Sequence, residues 1–244
     1  MKNKTILLFF ILLIGSLVSC DLNDYSRQLG VVNTKEKYAF QVEKNDYKLM
    51  VDLKEVATDF IFDIRYATKN NFTGEKIYPS NDAFLRKYIA EDLKKANDSL
   101  MKLGYQLKIL DAYRPYSATI KFYEIYPDGD FVANPMVGSR HNRGTTVDVT
   151  LVDRKTGKDL EMPTKFDVFT KEAHPNFDDL PPHIIENKML LINVMKHFKF
   201  DVHPNEWWHY DHARWQRYPM MDLTFKQIKD VAESYKEEEY DLSL

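Results

Sequence analysis

Residues 145–152 alternate between polar and apolar side chains, and this alternation constrains the fold more than any other feature of the chain. The two sets fall on opposite faces of an extended strand, with Val147, Val149 and Leu151 on one face and Thr146, Asp148 and Thr150 on the other. The stretch therefore predicts a half-buried β-strand that presents an aspartate on its polar face.

A helix and a second strand are predicted before this segment. Apolar residues recur at helical spacing from Phe84 to Leu100, and Gly104 stands where a C-terminal cap belongs. Residues Gln106 to Tyr113 then have the composition of a strand. A helix followed closely by a strand is thus expected on the N-terminal side of residues 145–152.

Two more helices are predicted after it. One begins near Pro182, because proline suits a first helical turn, and its expected apolar face carries Ile185, Met189, Ile192 and Met195. The other begins at Thr224, which forms a capping-box pattern with Gln227. Helices and strands thus occur in mixed order, without a βαβ rhythm or a glycine-rich phosphate loop, and this favours an α+β fold. With 244 residues, of which 44% are hydrophobic, a single domain is expected.

The N-terminus carries an export signal. Lys2 and Lys4 precede an apolar run from Ile6 to Val18, which is shorter than the roughly 20 residues needed to cross a bilayer. The run ends before Cys20 in a sequence that resembles a bacterial lipobox. We expect a lipoprotein signal peptide at residues 1–19, a tether and approach to the fold at 20–45, and a folded domain at 46–244. An ordinary signal peptide, or an uncleaved anchor with an incidental cysteine, is the alternative.

This interpretation places the protein outside the cytoplasm, attached to a bacterial membrane by a lipid on Cys20. Nucleic-acid binding is disfavoured, because 34 basic residues face 37 acidic residues with no basic stripe among them. The single cysteine also excludes an internal disulfide and any multi-cysteine metal site. Metal chemistry in this chain must therefore use histidine, aspartate or glutamate.

Two stretches could supply such ligands. The first places His141 in a turn and Asp148 on the following strand, with Gly144 permitting the sharp turn between them. The second, residues 204–210, adds His209 and a carboxylate, Glu206, three residues before it. Three protein ligands and one open position define catalytic zinc, which lowers the pKa of a bound water to about 7.

The three ligands would be His141, Asp148 and His209, with Glu206 as the base. In a regular strand, residues three apart point to opposite faces, so Glu206 and His209 could not both face one metal ion. The difficulty disappears if Glu206 lies in the turn that Pro204 and Asn205 indicate, and only Trp207 onward is a regular strand. Taken separately, the first stretch could be a solvated loop histidine beside a strand aspartate, and the second an aromatic core strand with a buried histidine.

Together these residues resemble a known family, the zinc D-alanyl-D-alanine dipeptidases, which belong to the zinc D,D-peptidases that share a fold with the Hedgehog signalling domain. The resemblance runs in order over roughly residues 48–220, through Asp63–Thr68, Asn71–Gly74, Asp111–Pro115, Ser139–Asp148, Phe166–Asp167 and Glu206–His209. It implies a central, mainly antiparallel sheet flanked by helices, and one Zn²⁺ per chain on the three ligands named above.

The resemblance also implies roles for other residues. It makes Glu206 the general base and Arg114 the residue that stabilises the developing oxyanion. It places Ser139 and Asp167 against the substrate, with Asp167 receiving the free ammonium. A structural salt bridge is the alternative for Arg114, and a helix cap is the alternative for Asp167. The chain departs from the family pattern at Thr146, where a small alanine is expected.

The function implied is hydrolysis of the D-alanyl-D-alanine dipeptide, in extracytoplasmic turnover or scavenging of cell-wall dipeptides. One alternative is a D,D-carboxypeptidase that trims longer peptidoglycan peptides. Another is a membrane-tethered binding lipoprotein that keeps the zinc fold without catalysis. The presence of Glu206 and Arg114 argues against the binding lipoprotein, because neither residue is a zinc ligand in this scheme.

Overall fold

The computed structural model describes residues 25–241, and the side chains as far as residue 236. The expected signal peptide and Cys20 lie outside the described residues. Within residues 25–241, no helix combines the length and the apolar composition required to cross a bilayer.

Strands and helices alternate irregularly along the chain. The strands are β1 (Met50–Asp52), β2 (Ile61–Phe62), β3 (Phe84–Arg86), β4 (Tyr105–Asp111), β5 (Thr146–Asp153), β6 (Phe200–His203) and β7 (Glu206–His212). The helices are α1 (Lys35–Lys44), α2 (Leu53–Val56), α3 (Lys87–Lys102), α4 (Tyr116–Ile125), α5 (Pro182–His197) and α6 (Phe225–Asp241), and residues 25–28 are also helical.

A five-stranded sheet in the order β2-β4-β5-β7-β6 forms the centre of the molecule. Its neighbouring strands are antiparallel except for β2 and β4, which are parallel, and β1 pairs with β3 in a separate antiparallel ribbon. Helix α3 packs on β4 and α5 packs on β6. The expected α+β fold, with a mainly antiparallel sheet flanked by helices, is confirmed.

The central strand β5 is buried on both faces, so the prediction of a half-buried strand is wrong. Every residue of β5 except Asp153, the last, is buried. The segments that carry Arg114, His141 and His209 cover its polar face. The polar side chains of β5 therefore line an internal site and do not face solvent.

The first predicted helix begins three residues later than expected. Phe84 and Leu85 belong to β3, where they pair with Asp52 and Val51, and α3 starts at Lys87. Both side chains are buried, so their helical spacing reflects core packing while strand pairing with β1 decides the backbone. The expected cap is confirmed, since Gly104 has a φ of 89°.

The helix α5 is confirmed, but its predicted apolar face is only partly right: Met195 is buried as predicted, Ile185 and Ile192 are partly buried, and Met189 is exposed. Its buried residues are Ile184, Lys188, Leu191 and Met195. Met189, which was expected on the buried face, is 40% exposed. The face is shifted because the Nζ of Lys188 donates to the carbonyl of Phe177 at 2.6 Å and to Asp178 at 3.1 Å, which satisfies its charge in the core.

The last helix has the predicted capping box. The Thr224 hydroxyl accepts from the Gln227 amide at 3.2 Å, and the Gln227 side chain accepts from the Thr224 amide at 2.8 Å.

Helix α1 lies within the segment expected to be a tether and approach. Its Tyr38 and Val42 are buried in the core, so this part of residues 20–45 belongs to the packed domain.

Candidate active site

A capped turn places His141 at the start of β5. The Ser139 hydroxyl accepts from the His141 amide at 3.2 Å, and the Asn142 side chain accepts from the Ser139 amide at 2.7 Å. Gly144 ends the turn with a φ of 67°, and a Cβ there would lie 2.5 Å from Met50 Sδ. The turn thus requires glycine, as predicted, and it holds the His141 side chain fully buried.

The register between β5 and β7 brings the other two predicted ligands together. Asp148 is the cross-strand partner of His209. Asp148 Oδ1 lies 3.2 Å from His141 Nε2 and 3.2 Å from His209 Nδ1. One donor atom from each of the three residues lies within 4.8 Å of the others, which is a spacing that one metal ion can bridge.

The protons of both imidazoles are held on the far side of this cluster. His141 Nδ1 lies 2.6 Å from the Ala112 carbonyl, and His209 Nε2 lies 3.2 Å from Asp211 Oδ1. Because a carbonyl and a carboxylate only accept hydrogen bonds, we place a proton on His141 Nδ1 and on His209 Nε2. Metal binding then requires only that His141 Nε2 and His209 Nδ1, the nitrogens that face Asp148, carry no proton.

Asp148 Oδ1 is buried and accepts no hydrogen bond from the described residues. Burial alone would raise the pKa of Asp148, but positive charge on the neighbouring His141 and His209 imidazoles outweighs it and holds that pKa well below its usual range. A bound cation would supply this positive charge in place of the imidazole protons, and two imidazoles with one carboxylate suit zinc. The residues present therefore fit Zn²⁺.

Glu206 reaches the same cluster from the start of β7. Its Oε2 lies 3.5 Å from His209 Nδ1, and burial raises the pKa of its carboxyl to about 8. The turn is at residues 204–205 and the strand begins at Glu206, one position earlier than the expected start at Trp207. On β6, Val202 pairs with Tyr210 but the next residue, His203, pairs with Glu206. The residues between Glu206 and Tyr210 therefore have no β6 partner, and the side-chain alternation of a regular strand does not apply there.

Arg114 lies against the cluster on the β4 side. Its Nε and Nη2 donate to Asp111 Oδ2 at 3.2 and 2.8 Å, and Nη2 lies 3.9 Å from Asp148 Oδ2. The guanidinium carbon lies 4.7 Å from the centre of the Phe122 ring. The salt bridge considered as an alternative role is therefore present, and it holds the guanidinium beside the predicted metal site.

Asp167 projects into the same cavity from the long loop between β5 and α5. Its carboxylate accepts from the Tyr66 hydroxyl at 3.0 Å and from the Phe72 amide at 3.3 Å. No helix begins there, so the helix-cap alternative is wrong. Burial raises the pKa of Asp167 to about 7. Its backbone has a φ of 61°, a conformation that aspartate tolerates better than most residues.

One cavity of about 350 Å³ is lined by Asp148, His209, Glu206, Arg114, Asp167 and Ser139. The family model for D-ala-D-ala dipeptidases, peptidase M15, matches residues 46–228 of the chain. The chain belongs to this family.

Curated relatives agree with the family match. The D-alanyl-D-alanine dipeptidase of Escherichia coli strain K12 is 33% identical over 177 residues, which cover 72% of this chain and 91% of that protein. The D-alanyl-D-alanine dipeptidase of Enterococcus faecium is 29% identical over 178 residues, covering 65% and 88%. That of Streptomyces coelicolor is 30% identical over 176 residues, covering 64% and 87%.

As a member of the M15 dipeptidase family, the chain is a zinc metallopeptidase with a His141, Asp148 and His209 metal site. The ligands expected from the sequence are thus the residues that the fold brings together. The residues expected around them, Glu206, Arg114, Ser139 and Asp167, line the same cavity.

Asp211 is the residue of the M15 site that the sequence analysis missed. Besides His209 Nε2, its Oδ1 accepts from the Thr146 hydroxyl at 2.6 Å, and its Oδ2 accepts from Arg140 Nη1 at 2.5 Å. The hydroxyl of Thr146, which replaces the expected alanine, thus supports the partner of a zinc ligand. The sequence spacing indicates this contact, because residues two apart on a strand share a face and Asp211 follows His209 at that spacing.

Proposed function

We propose that this protein hydrolyses the D-alanyl-D-alanine dipeptide, with Glu206 as the general base. The observation that carries the proposal is the position of Glu206, whose carboxylate lies 3.5 Å from His209 in the cavity that Asp148 and His209 line. Among the described residues His209 is the ion-pair partner of this buried carboxylate, and peptide hydrolysis requires a base beside the metal.

The zinc ion, when bound, polarises the substrate carbonyl and makes water a nucleophile at neutral pH. Glu206 takes the proton from the attacking water on its carboxylate and passes it to the amine that leaves. Burial raises the pKa of the Glu206 carboxyl, which favours its holding the proton between the two transfers.

Arg114 stabilises the negative charge that develops on the carbonyl oxygen. Its guanidinium is fixed before substrate binds, by Asp111 at one edge and by the Phe122 ring on its face. A fixed donor that needs no rearrangement is the most effective form of oxyanion stabilisation. Ser139, at the mouth of the same turn as His141, contributes a hydroxyl to substrate binding.

Asp167 binds the free ammonium of the dipeptide. Among the described residues its hydrogen-bond donors are the neutral Tyr66 hydroxyl and the Phe72 amide, and no salt bridge reaches it. A buried carboxylate without a cation is costly, as its raised pKa of about 7 indicates, and a substrate ammonium would relieve that cost. This favours a dipeptidase over a D,D-carboxypeptidase, whose longer substrates carry no ammonium at this position.

Substrate length tests the proposal. We expect kcat/KM for free D-alanyl-D-alanine to exceed that for its N-acetyl form roughly a hundredfold or more, because a buried charge without its partner costs about 3–5 kcal/mol. Asp167→Asn, which keeps the size of the side chain, should remove most of this preference. A D-alanyl-D-alanine-ended pentapeptide cleaved as well as the free dipeptide would favour the carboxypeptidase. Comparable rates on all three substrates would contradict the dipeptidase.

We further propose that the enzyme works outside the cytoplasm, anchored by a lipid on Cys20, in turnover or scavenging of wall-derived dipeptides. The support is the sequence: a charged start, a short apolar run and the only cysteine of the chain at the end of that run. Cys20→Ser should abolish partition into the detergent phase. Unchanged partition would refute the lipid anchor without affecting the proposed reaction.

A further inference from the structure

The reaction described so far does not use every charged group that lines the cavity. D-alanyl-D-alanine has a carboxylate at its C-terminal end as well as an ammonium at the other, and Asp167 accounts only for the ammonium. The arginines that line the cavity are Arg114 and Arg140. Arg114 is committed to Asp111 beside the metal ligands, which leaves Arg140 as the fixed positive charge available for the carboxylate.

Arg140 is held in place but not enclosed. Its Nη1 donates to Asp211 at 2.5 Å, and its guanidinium lies 4.5 Å from the centre of the Trp215 ring. The side chain is 45% exposed and forms part of the cavity wall. A guanidinium has five N–H donors, and the hydrogen bond that Arg140 gives to a described residue uses one of them. Its planar geometry suits a second, bidentate contact with a carboxylate.

The order of strands places this group away from Asp167. The partners of Asp167 are Tyr66 and Phe72, in the segment that follows edge strand β2. The partner of Arg140 is Asp211 on β7, three places along the sheet from β2. Of the metal ligands, Asp148 lies on β5, between these two sides, and His209 lies on β7 with Asp211. An extended dipeptide likewise has its scissile carbonyl between its ammonium and its carboxylate.

We propose that Arg140 binds the C-terminal carboxylate of the substrate and so makes a free carboxylate a requirement of this site. The inference rests on the proposed function for the identity of the substrate. Asp211 then has two roles, because the carboxylate that orients the zinc ligand His209 also orients the arginine that recognises the substrate. Recognition and metal binding would share one buried group.

The test compares D-alanyl-D-alanine with its C-terminal amide, D-alanyl-D-alaninamide, as substrates of the zinc enzyme. The measure is the ratio of their kcat/KM values, compared between variants, because the amide also changes the leaving amine. Arg140→Ala should reduce the preference for the free acid roughly tenfold or more, the effect of a charge-assisted hydrogen bond, by slowing the acid and sparing the amide. Arg140→Lys should keep part of it.

Arg143→Ala is the matched control. Arg143 lies 5.2 Å from the same Trp215 ring and donates to the Tyr218 carbonyl, but it does not line the cavity. It should keep the wild-type ratio. If Arg140→Ala instead lowers both substrates equally and zinc content falls with them, Arg140 acts only through Asp211 and the proposal is wrong. An unchanged ratio in Arg140→Ala would overturn it as well.

Binding separates this inference from the proposed function. Calorimetric titration of the zinc-loaded Glu206→Gln variant with the acid and the amide measures carboxylate recognition without turnover. If the variant binds the acid in preference to the amide but the wild-type enzyme cleaves neither, the proposed function alone is contradicted. If the variant binds both ligands equally and the wild-type enzyme cleaves the dipeptide, the role of Arg140 alone is contradicted.

Discussion

Replacing Asp211 by asparagine should weaken zinc binding although all three ligands remain. The carboxylate fixes the proton of His209 on Nε2, at 3.2 Å, and so leaves the Nδ1 lone pair directed at Asp148. An asparagine amide can present its nitrogen to Nε2 instead of an oxygen. Nε2 would then accept a hydrogen bond, the proton would move to Nδ1, and the lone pair needed for the metal would be lost.

The expected loss is ten- to hundredfold in zinc affinity, or about 1.4–2.8 kcal/mol, the usual effect of removing the hydrogen-bond partner of a ligating histidine. The upper part of this range is expected, because Asp211 is only 4% exposed and water screens its charge weakly. Burial raises the pKa of an isolated carboxyl, but here His209 and the other partners hold the pKa of Asp211 well below its usual range. Its full negative charge is therefore present at neutral pH.

Competition for zinc against a chromophoric chelator measures the affinity directly. The rise in Tm on adding zinc should shrink in parallel, because at saturating zinc the stabilisation grows with the logarithm of the ratio of zinc concentration to Kd. Thr146 supplies graded controls. Thr146→Val removes the 2.6 Å hydrogen bond to Asp211 at constant size and should weaken zinc less than Asp211→Asn, whereas Thr146→Ser should stay near wild type. Wild-type zinc affinity in Asp211→Asn would refute the reasoning.

Three further perturbations test other parts of the site. Glu206→Gln should retain zinc but lose roughly 10²–10⁴-fold in turnover, as measured by metal analysis and kcat, because only the proton acceptor is removed. Gly144→Ala should lower the free energy of unfolding in denaturant titration by more than Gly157→Ala; both glycines have positive φ, but only the new Cβ at Gly144 meets Met50, at 2.4 Å. KM for free D-alanyl-D-alanine should fall as pH rises through about 7, because Asp167 must be ionised to bind the ammonium and its folded pKa is about 7. The N-acetyl substrate should lack that pH dependence, and its presence there would assign the titration to another group.

The ligand motifs could be predicted because each is local. His141 and Asp148 are separated by one turn and part of one strand, and Gly144 marks the turn between them. What brings His209 to them is a pairing between residues 61 positions apart, from Asp148 to His209. Composition and periodicity contain no information on that pairing, so ligand chemistry could propose His209 as the third ligand but not the strand register that brings it there.

Errors in the sequence analysis occur where a tertiary contact overrides a local pattern. Lys188 is buried because a carbonyl and a carboxylate from the preceding loop accept hydrogen bonds from its ammonium. The helical pattern of apolar residues does not indicate that a charged residue lies on the buried face. Helix α1 was missed for a related reason. Its buried side chains are Tyr38 and Val42, one helical turn apart, and the Tyr38 hydroxyl accepts from the Met50 amide in another segment. Two residues are too few to establish a period.

The position of the metal ligands depends on the packing of the opposite face of the sheet. The pairs Thr146–Asp211 and Asp148–His209 lie on one face of β5 and β7, and the pair between them, Val147–Tyr210, lies on the other with both side chains fully buried. A slip of one residue would expose the apolar pair to the cavity and bury the charged pairs in the core. The hydrophobic core therefore enforces the register that aligns His209 with Asp148, and the same register delivers Thr146 to Asp211. A core substitution at Val147 that loosened this pairing should consequently be detected first as weaker zinc binding.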